Sequence, residues 1–293
     1  MQTALAHAID QLPALLRTEL RNWQQQHTLA ILPPELMGRL QEVSSLSPQQ
    51  LTLALLPVAA AFSYASVSKF HVGAIAWGKS GAFYLGANME FARQSLNQTI
   101  HAEQCAINHA WLHNETGLLA MTINASPCGH CRQFMNETNS AQSLRIYLPT
   151  SEHSLAQLLP AAFGPRDLGV LDSLLQPQQR AVTTHFADAL LQVAAEAASH
   201  SYAPYSHSYA GVALQTHDGH IFSGRYAENA AFNPSLPPLQ SALIMLRMAG
   251  YAPENIQSAA LVESQQGQIS HLSATQALLS AYGIEQLHYQ TIE

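Results

Sequence analysis

Four residues stand at a spacing that could do chemistry: His101 and Glu103, two apart, and then Cys128 and Cys131 in a C-x-x-C pair. Two thiolates and one imidazole are the ligand types zinc prefers. A catalytic zinc site keeps its fourth position for water. Glu103 is near enough to His101 to lie beside that open position without filling it. A carboxylate so placed can take a proton from water and deliver it elsewhere. His130, inside the C-x-x-C, would close the site to water as a fourth ligand, so it is expected to point away. Cys105 reads as a small helix-face hydrophobe. His109 and His113, further along the same segment, need no role beyond core hydrogen bonds. Three cysteines make no disulfide framework, which suits a reducing compartment.

The elements that must position these groups are legible around them. Residues 99–113 read as a helix with Ile100, Ile107, Ala110 and Trp111 available for its buried side. Thr99 is the expected cap, which puts His101 and Glu103 in the first turn, where backbone N–H groups and the helix dipole face the site. Residues 120–125 form a short strand, and Ser126-Pro127-Cys128 opens the next helix, whose N-terminus favours the thiolate. Helix, strand and helix thus bring two N-termini to one edge of an open α/β sheet. Upstream, residues 1–47 look like a small helical preface, with Leu5, Ile9, Leu12, Leu15 and Leu16 at near-helical spacing and Pro33-Pro34 as punctuation. Ser47 then caps a longer apolar helix through about Ala61, with Pro48 at its first position.

Sliding the chain 138 residues against itself exposes an internal repeat. Ser63-Tyr64-Ala65 lies over Ser201-Tyr202-Ala203, Gly73 over Gly211, Gly81 over Gly219, Gly86 over Gly224 and Glu90 over Glu228. Each copy reads as strand, turn, strand (Val72–Trp77 and Ala82–Leu85; Ala210–Gln215 and His220–Ser223), followed by a helix at about 100–113 or 237–249. At that fixed offset His101 falls on Leu239 and Glu103 on Ser241, and the second copy has no cysteine. The expected organisation is an N-terminal helical segment (1–47), a catalytic domain (48–152), a linker (153–180) and a degenerate copy without a zinc site (181–293).

Composition excludes several classes. The chain has 293 residues, is 47% hydrophobic and only 11% charged, and has no apolar stretch long enough to span a membrane. Met1-Gln2-Thr3-Ala4 begins no basic run followed by an apolar core, so a secretory leader is not expected and a cytoplasmic protein is. A formal charge of −7 with twelve Lys and Arg is the wrong sign for wrapping a phosphodiester backbone. A small-molecule substrate is expected, not nucleic acid.

His-x-Glu followed by Pro-Cys-x-x-Cys is the zinc deaminase pattern. More closely, the chain resembles the long, two-domain bacterial cytidine deaminase family. The likeness is carried by Val67-Ser68-Lys69-Phe70 with Val72-Gly73-Ala74, by residues 86–91 (Gly-Ala-Asn-Met-Glu-Phe), by residues 99–104 (Thr-Ile-His-Ala-Glu-Gln), and by residues 127–133 (Pro-Cys-Gly-His-Cys-Arg-Gln). The resemblance implies a duplicated α/β fold, a three-layer α/β/α sandwich with a mixed sheet. It implies one Zn2+ per chain on His101, Cys128 and Cys131, with Glu103 as proton shuttle. Asn88 and Glu90 would bind the ribose, the backbone around Ala102 would contact the base, and Phe70 would pack against the pyrimidine. The enzyme would be a homodimer whose second copy helps close the partner's site, with Phe232 as the cross-subunit contact. The activity implied is hydrolytic deamination of cytidine and 2′-deoxycytidine, a pyrimidine salvage reaction. The short, single-domain relatives have a third cysteine where this chain has His101.

Three other readings compete. C-x-x-C also suits a dithiol redox site, against which Pro127 and the upstream His101/Glu103 pair both count. A purely structural zinc module would have no use for Glu103. Deamination of cytosine in RNA or DNA sits poorly with the acidic balance and with Asn88 and Glu90, which suit a free sugar hydroxyl. Asn88 discriminates better than Glu90, because Tyr226 replaces it in the second copy whereas Glu228 retains the carboxylate.

Overall fold

The structure is a computed structural model that describes residues 1–180 and 184–293. The expected start of the second copy at residue 181 lies outside the described residues. The chain divides into two compact units: Met1–Glu90 with Thr99–Ala162 and Met248–Gly250, and Phe91–Gln98 with Phe163–Arg247 and Tyr251–Glu293.

The first unit opens with α1 (Gln2–Asp10), α2 (Ala14–Gln24), β1 (Ile31–Leu32), α3 (Pro34–Ser44) and α4 (Pro48–Ala60). Ser47 caps α4 as expected, through a reciprocal box in which Gln50 N–H donates to Ser47 Oγ at 3.2 Å and Ser47 N–H to Gln50 Oε1 at 3.0 Å. The site-bearing segment follows as β2 (Gly73–Gly78), β3 (Phe83–Ala87), α5 (Ala102–Leu112), β4 (Leu118–Ile123), α6 (Gly129–Asn136), β5 (Arg145–Leu148), β6 (Ser151–Ser154) and α7 (Leu155–Leu158). The strand order is β1-β3-β2-β4-β5-β6, a mixed sheet in which β4 and β5 pair in parallel.

Glycine explains how the layers close. A Cβ on Gly73 would lie 2.5 Å from Ala60 N in α4, and one on Gly86 would lie 2.3 Å from Ala106 N in α5. Gly86 pairs with Ala74, the neighbour of Gly73, so the two glycines face opposite sides of the sheet. Helices therefore cover both faces, giving the α/β/α sandwich, and each backbone rests directly on a strand where no side chain could fit.

The second unit comprises α8 (Ala189–Ser199), β7 (Ala210–Thr216), β8 (Ile221–Arg225), α9 (Pro238–Met248), β9 (Ile256–Ser264), α10 (Leu272–Ser280) and β10 (Leu287–Ile292), with strand order β10-β9-β7-β8. It repeats the first in detail. A Cβ on Gly211 would meet Ala194 O of α8 at 2.2 Å, and one on Gly224 would meet Ala242 N of α9 at 2.0 Å. Gly81 and Gly219 share φ +86, the left-handed turn between the paired strands. Even the register shift at Trp77/Gly78 recurs at Gln215/Thr216.

The two copies do not keep one offset throughout. Met89 bridges Ile100 in the first copy, while its counterpart Ala227 bridges Leu236 in the second. The loop between them is therefore two residues shorter, and α9 follows α5 at an offset of 136, so that Gln240 matches Gln104 and Ala242 matches Ala106. The true counterparts of His101 and Glu103 are Pro237 and Leu239, not Leu239 and Ser241. The offset of 138 returns at β9, because the turn after α9 is two residues longer than the turn after α5. The second copy still lacks both polar groups.

Gly224→Val, far in sequence from the cysteine pair, should drive α9 off the sheet. We expect a loss of about 3 kcal/mol in denaturant unfolding, and an unchanged midpoint would contradict the close-packing account.

Candidate metal centre and cavity

Helix α5 runs away from one end of the sheet, β4 returns to it, and α6 starts there, so both helix N-termini lie at that end. His101 is the N-cap of α5, with extended backbone (φ −86, ψ 154), and Cys128 is the N-cap of α6. This moves His101 one step from the expected first turn, and Thr99 is not the cap. Ile100 is committed to the bridge with Met89, so the chain enters the helix only at residue 101. Gln104 Oε1 accepts the His101 N–H at 3.4 Å, and Glu103 occupies the first turn.

The three donors converge. His101 Nδ1 lies 3.3 Å from Cys131 Sγ and 3.5 Å from Cys128 Sγ, and the two sulfurs are 3.6 Å apart. Among the described residues, these are the metal-capable His, Cys, Asp or Glu ligand atoms that gather within 4.8 Å of one another. Their protonation shows why a cation fits. Hydrogen bonds from Cys131 and His101 pull the Cys128 thiol down to about 3, making it a thiolate. The neighbouring Cys128 sulfur and burial push Cys131 the opposite way. One thiol is thus ionised at the expense of the other, an imbalance that a divalent cation between them would relieve. Two sulfurs and one nitrogen suit zinc and leave a coordination position open.

His130 lies in the C-x-x-C but does not join the donor group. Its ring stacks on the His101 ring at 4.9 Å between centroids and 25° between planes. Arg132 ties down the approach to Cys128, donating from Nε to Pro127 O at 2.8 Å and from Nη1 to Leu158 O at 2.7 Å. Cys105 is buried in α5, and His109 Nδ1 is 2.9 Å from Leu85 O, both as expected for core residues.

A cavity of about 330 Å³ opens onto the donors, lined among others by Phe70, Asn88, Glu90, Ala102, Glu103 and Cys128. Glu103 is only 4% exposed, and burial raises its carboxyl above the ordinary carboxylate range. Phe70 is 60% exposed at the cavity wall. The Asn88 amide is fully engaged: Oδ1 accepts from Ser63 Oγ and Val72 N–H, and Nδ2 donates to Phe70 O and Glu90 Oε1. Thr99, Val72, Ala125 and Ser126 also line the cavity. The sequence places none of them on the cavity wall and offers Thr99 only as a helix cap, although Ala125 and Ser126 follow directly on the strand that ends at the site. Phe232 belongs to the second unit, where it is 66% exposed and its ring lies 6.5 Å from that of Tyr205.

Comparison with known proteins agrees with this geometry. Residues 47–145 and residues 155–276 each match a family model described as the cytidine and deoxycytidylate deaminase zinc-binding region. A cytidine deaminase of Vibrio vulnificus is 58% identical over 81% of this chain and 81% of its own length. Another, from Photobacterium profundum, is 50% identical over 96% of each chain.

The chain belongs to the cytidine deaminase family.

It is accordingly a zinc-dependent hydrolytic enzyme. A solved cytidine deaminase from Mycobacterium tuberculosis covers 36% of this chain and 89% of its own at 34% identity, with a TM-score of 0.34. Both stretches of the present family member match a zinc-binding region, yet only the first holds the ligand pattern. In the second, Pro237 and Leu239 replace His101 and Glu103. His271 caps α10 where Cys128 caps α6, and Ala274 stands at the position of Cys131. The Tyr226 ring, at the position of Asn88, lies 4.3 Å from the His271 ring.

Cys128→Ala should lower bound zinc from about one per chain to well below half, measured by elemental mass spectrometry, whereas His130→Ala should retain it. Equal loss in both variants would make His130 a fourth ligand and contradict the three-donor site.

Proposed function

We propose that this enzyme hydrolytically deaminates cytidine and 2′-deoxycytidine to uridine and 2′-deoxyuridine, releasing ammonia, with one zinc on His101, Cys128 and Cys131. The observation that carries the reading is a buried carboxylate, Glu103, on the wall of a nucleoside-sized cavity that also reaches the donor cluster. Zinc bound there supplies a Lewis-acidic site at which water ionises near neutrality.

Glu103 accepts the proton that the attacking water gives up and delivers it to N3 of the pyrimidine. The oxygen adds at C4, giving a tetrahedral centre. Glu103 then carries a second proton to the amine, the C–N bond breaks, and ammonia departs. Burial suits Glu103 to this work, because it holds a proton more tightly than an exposed carboxylate and so can both take and return one. Ala102, at the start of α5, offers backbone groups to the base, and Phe70 packs against its ring.

Asn88 and Glu90 form the sugar wall. Because their hydrogen-bonding capacity is used within the protein, sugar hydroxyls bind by sharing or taking over contacts at Glu90 Oε1, where Ser68 Oγ now donates. Neither group demands a 2′-hydroxyl, in keeping with both ribo- and deoxyribonucleosides as substrates. The acidic balance of the chain supports a free nucleoside over a nucleic-acid strand. We also propose the domain division into a catalytic copy and a zinc-free degenerate copy, and a homodimer in which the exposed Phe232 of one subunit reaches the partner's cavity. Reduced thiols at the metal centre suit the cytoplasm, and the reaction suits pyrimidine salvage. Among the described residues no helix is long and apolar enough to cross a membrane.

Ultraviolet monitoring of cytidine, deoxycytidine, cytosine and adenosine, with and without a chelator, tests the reading. Both cytosine nucleosides should turn over in a chelator-sensitive reaction, and turnover of free cytosine alone would refute it. Glu103→Gln should keep its zinc while kcat falls by roughly 10²- to 10⁴-fold, and a fully active variant would exclude the shuttle.

A further inference from the structure

The duplicated fold isolates one feature that survives where the chemistry does not. Glu90 Oε2 accepts the N–H groups of Val67 and Ser68 at 2.9 and 2.7 Å, while Oε1 accepts from Ser68 Oγ and from Asn88 Nδ2. In the second copy Glu228 Oε2 accepts the N–H groups of Tyr205 and Ser206 at 2.7 and 3.1 Å, and Oε1 accepts from the Tyr226 hydroxyl at 3.3 Å. The loops so held are equivalent in their finer detail. Ser68 Oγ accepts Phe70 N–H at 3.0 Å, and Ser206 Oγ accepts Ser208 N–H at 3.2 Å. Lys69 and His207, between those partners, both adopt the left-handed region, at φ 58 and φ 54. That conformation is uncommon for residues other than glycine and needs surrounding contacts to hold it.

We propose that Glu90 and Glu228 are equivalent loop latches, and that Glu90 is thereby a positioning residue that sets Phe70 at the cavity wall in addition to facing the sugar. A shared catalytic or binding task cannot account for the pair, because the second copy has no donor cluster among its described residues and has Tyr226 in place of Asn88. The common task is the loop. The carboxylate serves it through both oxygens: in each copy Oε2 takes two backbone N–H groups and Oε1 takes a hydroxyl, so removing the side chain beyond Cβ leaves both N–H groups without their acceptor. Both carboxylates are nearly buried, at 7% and 2% exposure, so an unmatched N–H there would stay unmatched.

The latch acts without ligand, which separates it from the deaminase reading. Hydrogen exchange on the zinc-loaded full chain without nucleoside, followed by mass spectrometry of peptides covering residues 65–71 and 203–209, tests it. Glu90→Ala should speed exchange of the first loop by roughly 10- to 100-fold and leave the second unchanged, and Glu228→Ala should do the reverse. Parent-like protection of the adjacent loop in either variant would overturn the proposal. A second readout depends on nucleoside turnover. Ser68→Ala removes the hydroxyl that bonds both Glu90 Oε1 and Phe70 N–H and leaves the carboxylate, so KM should rise roughly 5- to 20-fold with kcat within about twofold. A fall in kcat at unchanged KM would contradict a positioning role for the loop.

Discussion

Two sulfurs and an imidazole nitrogen held within 3.6 Å of one another are the constraint on which the first half of this molecule is organised. Such a group is electrostatically unequal: hydrogen bonds from Cys131 and His101 favour the Cys128 thiolate, while the Cys128 sulfur and burial push the Cys131 thiol the other way, a set that suits a divalent cation. Everything around it serves to bring the donors together and keep them there. His101 and Cys128 are not merely near helix N-termini; they are the N-caps, so each ligand position is set by the first turn of a helix packed on the sheet. The open face of the group is given to a cavity, and Glu103 is the buried carboxylate on the wall of that cavity.

Rigidity in the sandwich comes from absent side chains. Gly73 and Gly86 let α4 and α5 lie against opposite faces of the sheet, and Gly211 and Gly224 do the same for α8 and α9. A helix seated by backbone contact has little freedom to slide, and the N-terminus of α5 carries both His101 and Glu103. The second copy keeps this scaffold with its metal positions replaced by Pro237, His271 and Ala274. There Tyr226 packs on His271, which burial holds at about 4 and hence neutral at physiological pH. The duplication therefore separates what the fold needs from what the chemistry needs.

Much of this was legible in residue spacing. The ligand set, Glu103, the duplicated strands and the N-cap of α4 follow from patterns with a direct physical cause. The glycines announced the repeat, although their reason, helix backbone pressed on strand, is a packing fact that no local pattern carries. Spacing offers Thr99 as the cap, whereas a bridge between Met89 and Ile100, eleven positions apart in sequence, delays the helix to residue 101. The repeat offset slipped by two between Glu228 and β9 for a related reason: one loop shortened and a later one lengthened by the same amount, so the flanking strands still agreed. Gln104 over Gln240 was the available signal. The engagement of Asn88 and Glu90 by Ser63, Ser68, Phe70 and Val72 depends on side-chain geometry across a loop, which spacing does not encode.

The proposed chemistry depends on an open three-ligand zinc centre. X-ray absorption at the zinc edge, on the purified full chain, measures its donor set directly. Two sulfurs, one imidazole nitrogen and one further oxygen neighbour are the predicted result. A second imidazole in place of the oxygen, or fewer than two sulfurs, would contradict it.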